Sequence, residues 1–191
     1  MRLILEGPDN AGKTTLARKL QDALGDGIRY FHPGGKPASF QDELDCVTLQ
    51  LAELDQHENV VLDRITPISQ RVYNPDPDMD KVRAHTMSWY AQRDVIIVYC
   101  RPSTDRLMRV EDLTWRDGES EEHKQKIIRG QHTFIERYDS LMEKTPHVVY
   151  NFEEAEAADL VFTQAVKAMN GSKAAESWFR AMICLSNGAQ S

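Results

Sequence analysis

Eight residues near the start of the chain, Gly7-Pro8-Asp9-Asn10-Ala11-Gly12-Lys13-Thr14, follow the pattern G-x-x-x-x-G-K-[ST] and stand between an apolar run at 3–5 and a segment of helical spacing at 13–24. No other feature constrains the fold as much. Glycines let successive backbone N–H groups turn inward and the following helix adds its positive N-terminal end, so an anion replaces water there at little cost. Gly7, Asn10, Ala11, Gly12, Lys13, Thr14 and Thr15 are therefore expected to cradle the phosphates of ATP, with Lys13 on the outer phosphates and Thr14 on Mg2+. The plain alternative is a glycine turn with a solvated lysine.

Further strand-length apolar runs stand at 60–62, 95–99 and 148–150, with a weaker one at 28–31. Continuous runs of Val, Ile and Leu mark strands buried on both faces of a parallel sheet. Between them lie segments of helical spacing at 40–56, 80–92, 119–143 and 155–169. The alternation predicts an α/β fold: a three-layer, doubly wound parallel sheet of about five strands, of the P-loop NTPase or kinase type. Residues 33–39 and 74–79 are loops by their glycines and prolines, and either line a pocket or merely connect elements. Residues 1–170 form one domain in this reading, with a lid at about 110–122. The stretch 171–191 is a docking helix with a loose tail, or a homodimer contact.

The formal charge of −7 gives no global attraction to a nucleic-acid backbone and better suits a small anion held by a few arginines. Three widely spaced cysteines, Cys46, Cys100 and Cys184, imply neither a disulfide framework nor a zinc site, and the six histidines show no ligand spacing. A basic leader is missing before the apolar start, and no run reaches the roughly 20 apolar residues of a membrane span. A soluble, cytoplasmic protein with no membrane contact is expected.

The loop Gly7 to Thr15 resembles that of the thymidylate kinase-like nucleoside monophosphate kinases, including a carboxylate two residues after the first glycine, here Asp9. Val60-Val61-Leu62-Asp63-Arg64, continued by Ser69 and Tyr73, resembles the second motif of that family, a buried strand ending in Asp-Arg followed by a helix with Ser and Tyr. The likeness runs more weakly through Arg109 to the region of Arg137, Tyr138 and Val148, and includes phage hypermodification kinases that share the scaffold. Asn10 stands where the family has glycine, residues 65–67 replace an aromatic-containing link, and the thymine-stacking segment has no counterpart. The resemblance implies that Asp9 accepts from a sugar hydroxyl of an acceptor nucleotide. By composition alone, Asp9 is equally a turn residue.

Asp63 ends a buried strand, and parallel sheets place ligands beyond the carboxyl ends of their strands. It is expected to hold a magnesium water, with Arg64 meeting an acceptor phosphate through its planar fork. Ser69 and Tyr73, one helical turn apart, complete the substrate side. Phosphoryl transfer depends on positioning and charge neutralisation, so further arginines should converge. Arg101, Arg106, Arg109 and Arg116 are the pool, with Arg106 and Arg109 three apart on one helix, and Arg109 and Arg116 are assigned the active role.

The leading function is an ATP-dependent phosphotransferase acting on a deoxynucleoside monophosphate. A second reading takes DNA as partner and phosphorylates a hydroxymethyl-pyrimidine base in it, with Lys36, Arg71, Lys81 and Arg83 forming a local groove. A third, from another class, is a nucleotide-binding switch or structural module.

Overall fold

The computed structural model describes residues 1–34, 37–109, 111, 113 and 120–188. Five parallel strands, β1 (Arg2–Glu6), β2 (Arg29–Phe31), β3 (Val60–Asp63), β4 (Val95–Cys100) and β5 (Val148–Tyr150), form one sheet in the order β2-β3-β1-β4-β5. β1 is central, with Leu5 beside Asp63 of β3 and Glu6 beside Tyr99 of β4. The loop after β1 therefore leaves the sheet where the strand order reverses, the crevice in which such sheets bind ligands.

Successive residues of a strand face opposite ways, and the core divides accordingly. Leu3, Leu5, Val61, Val98 and Val148 pack under α1 (Lys13–Leu24), α7 (Ala155–Met169) and α8 (Lys173–Gly188). Ile4, Val60, Leu62, Ile97 and Tyr99 pack under α2 (Phe40–Gln56), α3 (Thr66–Tyr73), α4 (Pro77–Ala91) and α6 (Glu121–Met142). Leu3, Ile4 and Leu5 are at most 1% exposed, each burial contributing about 1.5–3 kcal/mol before entropy is counted. A sheet buried on both faces explains why its strands read as unbroken apolar runs.

Helix starts follow their caps. Ser39 Oγ accepts from Asp42 N at the head of α2, and Asp76 accepts from Asp78 N at the head of α4. Pro77 therefore opens α4, and the expected loop at 74–79 shortens to the three residues before it. Helix α5 (Thr104–Leu107) closes before Arg109, so the two arginines predicted to share a helix do not. Helix α8 docks on its own chain, with Phe179 fully buried and Arg180 paired to Asp94 at 2.5 Å. Among the described residues no helix is long and apolar enough to cross a membrane.

Candidate active site

The head of α1 differs from those of α2 and α4. It has neither a capping side chain nor an acidic residue in its first turn, so its N–H groups and positive dipole end face the loop without a counter-charge. The loop backbone is held in matching form. Gly7 has φ 141°, and a Cβ there would lie 2.4 Å from the Cys100 carbonyl oxygen. Gly12 has φ 83°, with its missing Cβ space filled by the Phe152 ring. Asn10 takes φ 65°, a left-handed conformation that Asn tolerates better than most residues, and its Nδ2 donates to Arg106 O at 3.3 Å. Asparagine thus does here what glycine would do. Lys13 folds back over the loop, donating from Nζ to Gly7 O at 2.9 Å and Pro8 O at 2.6 Å. Burial and the Arg64 charge lower its pKa, against the opposing pull of Asp63 and Asp9.

At the carboxyl end of β3, Arg64 has φ 70° and its amide donates to Leu5 O at 2.9 Å, which turns the chain back toward the loop. Its Nη2 donates to Asp9 Oδ1 at 2.7 Å, Tyr73 OH at 2.9 Å and Gly7 O at 3.3 Å. The Tyr73 hydroxyl donates to Asp9 Oδ2 at 3.1 Å, and the guanidinium lies 5.0 Å from the Tyr73 ring centre. Burial would raise the Asp9 pKa, but Arg64 and Lys13, with the hydrogen bonds from Arg64 and Tyr73, outweigh it and hold the carboxyl below its usual range. Burial is likewise outweighed at Arg64, whose pKa rises well above its ordinary value through Asp9 and the neighbouring tyrosines. Asp9 and Arg64 are therefore a committed ion pair.

Solved structures share the fold that carries this loop. The chain is similar to the YorR protein of Bacillus subtilis in complex with phosphorylated GDP, with TM-score 0.57 and 19% identity over 88% of this chain and 98% of that one. It is similar to the deoxyadenosine kinase of M. mycoides with bound dATP, with TM-score 0.54 and 19% identity over 86% of this chain and 98% of that one. It is also similar to polyphosphate kinase 2 of Arthrobacter aurescens TC1, with TM-score 0.58 and 17% identity over 88% and 67% of the two chains. The fold is that of the P-loop kinases. No family model matches the chain, and no curated protein matches its sequence.

Within this P-loop kinase fold, several residues expected at the site come together. Thr14 and Thr15 are exposed in the first turn of α1, and Ala11 is buried beneath the loop. Asp63 accepts from Tyr30 OH at 2.8 Å, and the ring of His32 lies against it, with Nδ1 3.1 Å from the Asp63 carbonyl oxygen. Thr14 hydroxyl and Asp63 carboxylate are hard oxygen donors of the kind magnesium takes alongside phosphate oxygens. Among the described residues no group of three or more His, Cys, Asp or Glu side chains forms a metal site of its own. Ser69 Oγ and Arg64 Nε are buried without a hydrogen-bond partner.

Other expectations do not assemble. Arg109 lies exposed beyond α5, and its side chain makes no hydrogen bond or ion pair among the described residues. Arg101 is engaged by Asp139 through Nε at 2.8 Å and Nη2 at 2.9 Å. Arg116 and most of the expected lid lie outside the described residues, as does Lys36. Of the rest of the expected basic groove, Arg83 is 5% exposed and forks onto Glu43, and Arg71 pairs with Asp80, which leaves Lys81 exposed on its own helix.

The sequence reading missed Glu6, Gln50, Tyr30, His32 and Phe152. Each acts through a partner far along the chain, such as Phe152 beneath Gly12, and local spacing carries no trace of that. Glu6 alone left a signal, a carboxylate ending an otherwise apolar strand. Burial pushes its pKa up to about 7, against the lowering effects of the Ile65 amide and the Arg64 and Lys13 charges.

Proposed function

We propose that this chain is an ATP-dependent kinase that transfers a phosphoryl group to a deoxynucleoside monophosphate, as the thymidylate kinase-like resemblance implies. The observation that carries the reading is the cluster of Asp9, Arg64 and Tyr73 on the β3 side of the phosphate loop. The reading is supported by the planar cationic fork of Arg64 and the Tyr73 hydroxyl, groups suited to an acceptor nucleotide, and by the uncapped head of α1, suited to donor phosphates. The donor nucleoside then lies on the other side of the loop, where Arg106 stands 5.7 Å over the Phe152 ring. Two of the similar structures hold nucleotides, dATP and phosphorylated GDP, which accords with a kinase that uses nucleotides.

In this mechanism Lys13 leaves the loop carbonyls for the donor phosphates, and Arg64 neutralises charge on the acceptor side. Ser69 Oγ and Arg64 Nε, buried without a hydrogen-bond partner, add unmet hydrogen-bonding capacity beside Tyr73 and Asp9. Thr14 and Asp63 would hold magnesium, which would supply positive charge to the donor phosphates. Arg116 supplies further charge from the lid.

One observation favours a second reading. Asp9 already neutralises Arg64, which suits an uncharged hydroxyl acceptor, a deoxynucleoside or a hydroxymethyl base, better than a dianion. The polymeric version of that acceptor is the weaker, because Arg83 and Arg71 are already paired. Transfer from labelled ATP to deoxynucleosides, deoxynucleoside monophosphates and hydroxymethylated DNA separates the readings. Label on the monophosphates supports the first, label on nucleosides or DNA replaces it with the second, and ATP hydrolysis without transfer sinks both.

A further inference from the structure

Three successive backbone positions after β3 are held by buried side chains. Glu6 Oε1 accepts from Ile65 N at 2.7 Å, Gln50 Oε1 accepts from Thr66 N at 3.2 Å, and Gln50 Nε2 donates to Arg64 O at 3.3 Å. The residue so gripped, Arg64, has φ 70°, a conformation that a non-glycine residue keeps only where its surroundings over-determine it. Glu6 and Gln50 are both completely buried.

Glu6 has a second contact. The Tyr138 hydroxyl on α6 donates to its Oε2 at 3.3 Å, and the Tyr138 ring meets that of Tyr73 edge-on at 6.1 Å. One carboxyl at the end of the central strand thus touches both the turn that aims Arg64 and the helix behind Tyr73. A leucine in its place would avoid the desolvation of a buried carboxyl, yet would leave the Ile65 N–H without a partner. Nothing else hydrogen-bonded to that amide is present among the described residues.

We infer that Glu6 is a positioning residue for phosphoryl transfer, gripping the Arg64–Ile65 turn and, through Tyr138, seating α6 behind Tyr73 so that the guanidinium stays on the acceptor side of the loop. The inference rests on the proposed role of Arg64 toward the acceptor. Without the carboxyl, the Arg64 backbone relaxes toward ordinary φ values and its fork leaves Asp9 and Tyr73. The Lys13 bonds to the Gly7 and Pro8 carbonyls and the head of α1 do not run through the Glu6 carboxyl.

The test is steady-state kinetics with ATP and acceptor varied separately, beside thermal melts, for Glu6→Ala, Glu6→Gln, Tyr138→Phe, Arg64→Ala and Val161→Ala. Val161 is buried on the opposite face of the sheet and reports what lost stability alone does. Glu6→Ala should lower kcat/KM for the acceptor by roughly 10- to 100-fold and leave the KM for ATP within about two-fold. Glu6→Gln keeps an oxygen for Ile65 N and should stay near wild type, with Tyr138→Phe in between. An acceptor effect no larger than that of Val161→Ala, equal effects on ATP and acceptor, or a Gln variant as impaired as the Ala variant overturns the proposal. Should Glu6→Ala fail to fold, unchanged acceptor kinetics in Tyr138→Phe overturns it. If Arg64→Ala leaves acceptor kinetics unchanged, the role of Arg64 itself falls; if only Arg64→Ala moves them, Glu6 alone is excluded.

Discussion

Arg64 reaches back across 55 residues of sequence to place its Nη2 2.7 Å from Asp9 Oδ1, so the strand-end arginine and the loop carboxylate form one charged unit. Tyr73 closes it by bonding to both. In the proposed function the unit serves the acceptor, while Lys13, bonded to the Gly7 and Pro8 carbonyls, serves the donor. Variants of the two cations should therefore fail in different ways.

For Arg64→Ala the expected outcome is a rise in acceptor KM, a fall in kcat, or both, amounting to about 10- to 100-fold in kcat/KM, since hydrogen bonds to charged groups contribute about 1.5–3 kcal/mol. The KM for ATP should stay within about two-fold. Initial rates with each substrate varied in turn give the answer, and an equal loss for both substrates would remove Arg64 from the acceptor side.

For Lys13→Ala, kcat should drop by about 100-fold or more, the scale seen when a preorganised donor is deleted from a charge-stabilising site. Among the described residues the lysine bonds only loop carbonyls, so the circular dichroism spectrum should match wild type. A folded variant with normal turnover would remove the loop from the chemistry.

Chelation of magnesium should abolish transfer, and added Mg2+ should restore it. Asp63→Asn should shift the magnesium titration to higher concentration, with the sheet intact because the amide oxygen still accepts from Tyr30. An unchanged titration in that variant would leave Asp63 with a structural role only.

Gly7, Gly12 and Lys13 were legible because the phosphate loop is written in contiguous residues, and β1, β3 and β4 because burial on both faces demands unbroken Val, Ile and Leu. Even Asn10 makes sense in place, since it keeps the positive φ. The support beneath the site was not legible. Gln50 is one polar residue on a helix of mixed polarity, and its contacts to Arg64 and Thr66 appear only when α2 packs beside the turn. Arg109 and Arg83 were misplaced for the converse reason: spacing gives a helix face but not where the helix stops or which acid waits opposite. Arg83 meets Glu43, 40 residues away, and is spent there.

Glu6 allows a test that needs no substrate. Its carboxyl titrates near 7 in the folded protein against an ordinary 4.5, because burial disfavours its charged form. Between those values the folded state holds a proton that the unfolded state has lost. The contribution of Glu6 to stability is thus fully present below about pH 4.5 and is lost as pH rises through about 7. At about 1.4 kcal/mol per pH unit the whole effect is at most about 3.5 kcal/mol. Glu6→Gln cannot titrate, so urea denaturation at pH 5, 6, 7 and 8 should show wild type losing stability relative to the variant as pH rises, with the gap levelling off above about 7. Parallel pH curves for the two proteins would mean that the carboxyl is already ionised at pH 5, its charge held by Arg64 and Lys13 against burial.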